Sequence, residues 1–70
     1  MGYNKSVLAG NLRGFRAKKR MTQAELAVAS GVNEATIFNY ENGTNVPGID
    51  KIVSIAEVLG CTPNDLCGWK

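Results

Sequence analysis

Apolar positions along this chain recur at helical spacing in short segments that Gly and Pro separate, and the pattern predicts five helices. Leu8, Leu12 and Phe15 fall at i, i+4 and i+7 of a first helix, for which Ser6 is the predicted cap; Arg13 and the run Lys18 to Arg20 lie largely off that stripe. A second helix is predicted to start at Thr22. Its hydroxyl can accept from the amide of Glu25 while the Glu25 carboxylate reaches back to the Thr22 amide, and Met21 and Leu26 stand at hydrophobic-staple spacing. Gly31 follows the last turn, where a left-handed residue closes a helix at least cost. Asn33 then caps a third helix, Val32 and Ile37 repeat the staple, and Gly43 closes it after Asn42. Beyond a loop with Val46 and Pro47, the stripe Ile52, Ile55, Ala56 and Leu59 makes a fourth helix that stops at Gly60. Thr62, Pro63 and Asp65 open a short fifth one, with Cys61 and Leu66 as its staple.

The 70 residues have room for one domain, expected over residues 1–70, and no linker, repeat or low-complexity tract divides them. No apolar run approaches the roughly 18 residues of a membrane span, and the first ten residues lack the apolar stretch of a signal peptide. A cytoplasmic, reducing setting without membrane contact is the expectation. Net charge is only +2, but six of the eight basic residues (Lys5, Arg13, Arg16, Lys18, Lys19, Arg20) fall in the first twenty positions, which contain no acid. Such a concentrated basic face suits a polyanion, although a plain solvated helix face has the same composition.

Chemistry finds little footing. With no histidine, neither a Ser-His nor a Cys-His nucleophile pair can form, and the two cysteines alone cannot make the usual four-ligand zinc site. The glycine spacing of Gly43 to Gly48 is that of a phosphate loop, but Ile49 stands where its lysine belongs. If the segment between Cys61 and Cys67 is helical, their Cα atoms lie on the order of 9 Å apart, beyond comfortable disulfide reach, so both read as small buried hydrophobes. No enzyme, metal or cofactor is expected.

What remains is a constellation: capping box, small residues Ala24, Ala27 and Ala29, glycine turn, capped helix, closing glycine. This is the helix-turn-helix layout, expected over about residues 22–43, in which one helix crosses the phosphate backbone and the next enters the major groove. The segments Thr22-Gln23-Ala24-Glu25-Leu26-Ala27, Gly31-Val32-Asn33, Thr36-Ile37, Tyr40-Glu41-Asn42-Gly43, Leu59-Gly60-Cys61-Thr62 and Asp65-Leu66 closely resemble the Cro and CI (XRE-like) type of phage-repressor helix-turn-helix domain. The resemblance covers roughly residues 6 to 67. It implies an all-α, compact five-helix bundle of the lambda-repressor type and double-stranded DNA as the partner.

Gln23, at the start of the second helix, resembles a family phosphate contact, and an amide beside free helical N–H groups suits a phosphate oxygen. Thr22, Asn33, Asn42 and Thr44 are the other candidates for backbone contact. On the third helix, turning about 100° per residue from inward-facing Ile37, the residues Ala35, Phe38, Asn39 and Asn42 cluster on the opposite side. Asn39 is the first candidate for base readout, since its amide can donate and accept at the N6/N7 edge of adenine. Glu34 and Ala35 resemble the family's other base-contacting positions. Cytosine contact and first-turn helix stabilisation both stay open for Glu34, as do a thymine methyl and packing beneath the domain for Phe38. The resemblance also pairs Arg16 with Glu41, which lies only about 40° from Ile37, in a partly buried salt bridge of structural purpose; Arg13, Lys18, Lys19 and Arg20 are left to attract phosphate. The expected function is a sequence-specific transcriptional regulator of bacterial or phage type, a repressor acting as a homodimer on a pseudopalindromic operator through the helix at residues 34–42. The fifth helix and Trp69 are the candidate dimer surface. The alternative is a protein-interaction module, an antitoxin or antirepressor reusing the fold, which Glu34 beside Phe38 would suit.

Overall fold

Four of the five helices begin where a side chain takes up the free amides of a first turn. Asn4 Oδ1 accepts from the Ser6 and Val7 amides at 2.7 and 3.3 Å and starts α1 (Lys5–Lys18). Ser6 is therefore not the cap: Asn4 stands two residues earlier, its side-chain oxygen reaches both orphan amides, and Ser6 lies inside the first turn. Thr22 and Glu25 form the reciprocal box that opens α2 (Gln23–Ser30), with both bonds in place at 2.8 and 3.0 Å. Asn33 Oδ1 accepts from the Ala35 amide at 2.8 Å and opens α3 (Glu34–Glu41). α4 (Ile49–Leu59) starts without a side-chain cap, and α5 (Pro63–Cys67) repeats the box with Thr62 and Asp65. These features come from a computed structural model that describes residues 4–68; Trp69 lies outside the described residues, among which there is no strand.

The first four helices end alike. After each, one residue turns left-handed, its amide bonding three residues back and the following amide five residues back: Gly31 to Val28 with Val32 to Ala27, Gly43 to Tyr40 with Thr44 to Asn39, and Gly60 to Glu57 with Cys61 to Ala56. This pairing satisfies the orphan carbonyls of the last turn. At the end of α1 the same two bonds form, Arg20 to Ala17 and Met21 to Arg16, but the left-handed residue is Arg20, with φ 57°. Without a glycine in that place the sequence carries no sign of the turn.

The staples and stripes meet in one core. Leu8 and Leu12 from α1, Leu26 from α2, Ile37 from α3, Ile55 from α4 and Leu66 from α5 are its fully buried side chains, with Val32, Tyr40, Ala56 and Leu59 around them. Phe15, expected on the buried stripe, is only half-buried, and Lys18 Nζ lies 5.3 Å from its ring centroid. α1 packs on α3 and α5, α2 packs on α3 and α4, and α4 packs on α5. Asn11 on α1 holds α5 in place, donating to the carbonyls of Leu66 and Asp65 at 3.0 and 3.3 Å. Cys61 and Cys67 are free and half-buried rather than fully buried. Burial pushes both thiols up, with the Asp65 charge adding to the effect at Cys61, so little thiolate forms near neutrality. Among the described residues no helix is long and apolar enough to cross a membrane.

The contrast between Arg20 and Gly31 is testable. A left-handed non-glycine residue costs roughly 1–2 kcal/mol, partly offset by the unfolded-chain entropy that a glycine would add. Arg20→Gly is expected to raise unfolding stability by up to about 1 kcal/mol. Gly31→Ala, whose new Cβ would meet nothing within 4 Å, is expected to lower it by about 1 kcal/mol through backbone strain alone. Urea midpoints of the two variants against the parent chain decide this.

Candidate nucleic-acid interface

Between α2 and α3 lie only Gly31, Val32 and Asn33. The left-handed Gly31 reverses the chain, buried Val32 pins the turn to the core, and Asn33 starts the next helix. Two eight-residue helices thus meet at a fixed angle, which is the geometry of a helix-turn-helix. Ile37, Tyr40 and Glu41 form the buried side of α3. Ala35 and Asn42 are exposed, Phe38 is 53% exposed, and Asn39 is half-buried at the edge of the same face. Phe38 therefore projects to solvent, and packing beneath the domain is excluded. The Asn39 side chain makes no hydrogen bond among the described residues, although its carbonyl accepts from the Thr44 and Asn45 amides at 3.0 and 3.3 Å. Among the described residues its amide is free at both ends.

Glu34 is exposed in the first turn of α3, without a cation partner among the described residues. Asn42 Oδ1 accepts from the Thr44 amide at 3.2 Å and from its hydroxyl at 2.6 Å, which fixes the loop after α3 and leaves the Asn42 amide protons directed elsewhere. Thr22, Asn33 and Thr44 are exposed, each tied locally by its capping or turn bond.

Behind this face sits a buried polar hub. The Glu41 side chain is 3% exposed; Oε2 accepts from Arg16 Nε at 2.5 Å and Oε1 from Arg16 Nη2 at 2.9 Å, a bidentate pair. The hydrogen bond to Glu41 raises the Arg16 pKa further, against the opposing pull of burial. Arg16 Nη1 reaches the Met21 carbonyl at 2.8 Å and so also fastens the turn between α1 and α2. Arg13 donates to the Glu41 backbone carbonyl near the C-terminus of α3, where a cation is favoured by the helix dipole. Arg13 stays exposed and keeps its charge, and its place one turn before Arg16 on α1 makes this contact geometrically natural. Lys5, Lys19 and Arg20 stay exposed with no ion-pair partner among the described residues.

Gln23, expected to face phosphate, is half-buried, and its Nε2 donates to Glu41 Oε1 at 3.0 Å. The sequence offers no hint of this bond, because the two residues are eighteen apart and joined only by the angle between α2 and α3. Among the described residues no group of three or more His, Cys, Asp or Glu side chains is arranged to hold a metal ion.

A helix-turn-helix whose second helix shows an unengaged amide on its open face defines the class of protein: a DNA-binding transcriptional regulator fold. The family model of helix-turn-helix proteins (HTH_3) matches residues 12–66, and the chain belongs to that family. An HTH-type transcriptional regulator of Archaeoglobus fulgidus is 42% identical over 55 residues, which cover 79% of each chain. The HTH-type regulator y4dL of Sinorhizobium fredii is 34% identical over 59 residues, 84% of this chain but only 30% of that protein. The chain thus spans less than a third of that longer relative. Among solved structures, a hypothetical transcription factor of Neisseria, NHTF, superposes with a TM-score of 0.85 at 30% identity, covering 90% of this chain and 72% of that one. The P22 c2 repressor, solved with a synthetic operator, shares the fold with a TM-score of 0.86 at 23% identity, covering 91% and 97%.

Removing the arginine of the hub would strand a buried carboxylate, so Arg16→Met is expected to cost about 3–5 kcal/mol of unfolding stability. Arg13→Met removes one charged hydrogen bond to a carbonyl and is expected to cost about 1.5 kcal/mol. Equilibrium urea unfolding of both variants measures the difference.

Proposed function

We propose that the chain is the DNA-reading module of a repressor, a single domain that acts as a homodimer on a pseudopalindromic operator in the cytoplasm and carries out no catalysis. The observation that carries this reading is the side-chain amide of Asn39, without a hydrogen-bond partner among the described residues, at the edge of the open face of α3 in a helix-turn-helix. The first turn of α2, with Thr22 and Gln23, meets one phosphate strand, and Asn33, Asn42 and Thr44 meet the backbone around the groove. Asn39 reads adenine, Ala35 and Phe38 meet thymine methyls, and Glu34 accepts from cytosine N4 where the operator offers one. Arg13, Lys18, Lys19 and Arg20, with Lys5, add the sequence-independent attraction. One module buries too little surface for high specificity, so two copies about one DNA turn apart complete the site. The operator-bound form of the P22 c2 repressor, which has the same fold, supports this mode of docking. The 53% exposure of Phe38 beside Glu34 favours a second reading, in which the same face binds a protein.

Selection of bound duplexes from a random pool separates the two. The DNA reading predicts a two-fold symmetric motif, an affinity that falls steeply with salt, and loss of preference at one base pair in Asn39→Ala, worth about 1–3 kcal/mol of discrimination. Weak, uniform binding without a motif favours the protein-binding reading.

A further inference from the structure

Glu41 touches three things besides its own helix: Arg16, Arg13 and Gln23. Arg16 compensates the buried carboxylate, while Arg13 bonds the Glu41 backbone carbonyl. The bidentate guanidinium takes one lone pair on each carboxylate oxygen and Gln23 takes a further one on Oε1, so the glutamine completes the compensation and is itself held in place by it. Gln23 is the first residue of α2, and its side chain has one acceptor and two donor hydrogens on a planar amide. One Nε2 hydrogen is held by the buried Glu41 carboxylate, which restricts the rotamer and leaves the second hydrogen for another acceptor. Left alone, a half-buried glutamine samples several rotamers, and ordering one costs on the order of 1–2 kcal/mol.

We propose that Glu41 is a positioning residue for DNA binding: buried and out of reach of any nucleic acid, it acts through its 3.0 Å bond to Gln23 and presets the phosphate contact at the start of α2. This rests on the reading of the protein as a DNA-binding module. The same carboxylate is bonded to Arg16, which holds the Met21 carbonyl just before α2, so the amide and the turn that carries it are referenced to one buried group. Docking onto the phosphate then needs no side-chain search, and its energy is coupled to the hub.

The test is a thermodynamic cycle in operator affinity, using the duplex chosen by selection. Replacing the pair by apolar side chains, Arg16→Met with Glu41→Leu, avoids stranding a charge, and such exchanges are often neutral for folding. In the parent chain Gln23→Ala is expected to weaken binding about tenfold, the scale of a hydrogen bond to a charged group. In the Arg16→Met/Glu41→Leu background, where Gln23 has lost its partner, the same substitution is expected to cost less than about twofold. An equal loss in both backgrounds, with all four chains folded, overturns the proposal and leaves the DNA reading intact. No operator binding by the parent chain overturns both. Should the apolar pair fail to fold, the side-chain resonances of Gln23, the chain's sole glutamine, decide in the parent protein. The proposal predicts that in the free protein one Nε2 hydrogen is displaced from the ordinary glutamine position by the Glu41 carboxylate, and that operator moves mainly the other; two hydrogens at ordinary glutamine positions in the free protein, or two that move together with operator, contradict it.

Discussion

A single buried carboxylate joins the three helices that matter for recognition. Glu41 stands at the end of α3, takes a bidentate arginine from α1 and a glutamine from α2, and through its own backbone carbonyl takes a second arginine from α1. A charge that is 3% exposed carries a desolvation cost of several kcal/mol, which only such a set of donors offsets. The consequence is geometric: if α3 shifts by a fraction of a hydrogen-bond length relative to α1 or α2, the compensation is lost. The apolar core, with Leu8, Leu12, Leu26, Ile37, Ile55 and Leu66, supplies the bulk of the stability but is non-directional, whereas the hub sets orientation.

That division separates scaffold from reading face. On the inner side of α3, Ile37, Tyr40 and Glu41 are committed to packing and hydrogen bonds. On the outer side, Ala35, Phe38 and Asn42 stand in solvent, and Asn39 presents an amide without a partner among the described residues. A rigid helix with an uncommitted face is what base readout needs, since order is already established before the ligand arrives. The turn between the helices is equally economical in residues, because Gly31, Val32 and Asn33 each perform one task and none is left over.

Much of this was legible in the sequence, and the reasons for success and failure are physical. The boxes Thr22–Glu25 and Thr62–Asp65, the cap Asn33 and the glycines at 31, 43 and 60 are local devices, so short spacings reveal them. Ser6 was the wrong cap because Asn4, just outside the apolar stripe, offers a better acceptor for the same amides. The end of α1 leaves no mark in the sequence because Arg20 adopts a conformation that glycine usually signals. The Arg16–Glu41 pair came from family resemblance and is present. The engagement of Arg13 and the bond from Gln23 were missed, since both depend on how helices distant in sequence cross. Of the six cations of the basic face, Arg16 is neutralised by the buried carboxylate.

The central claim is that a scaffold fixed around Glu41 offers the outer face of α3, together with the first turn of α2, to DNA. Mapping backbone amide shifts of the labelled protein on titration with a selected operator duplex tests it most directly. The account predicts that the shifts concentrate at Thr22 to Ala24, along Asn33 to Asn42 and at Thr44, with the core helices α4 and α5 little changed. Shifts centred instead on the exposed apolar side chains of α4, Ile49 and Val53, with α3 silent, would contradict it.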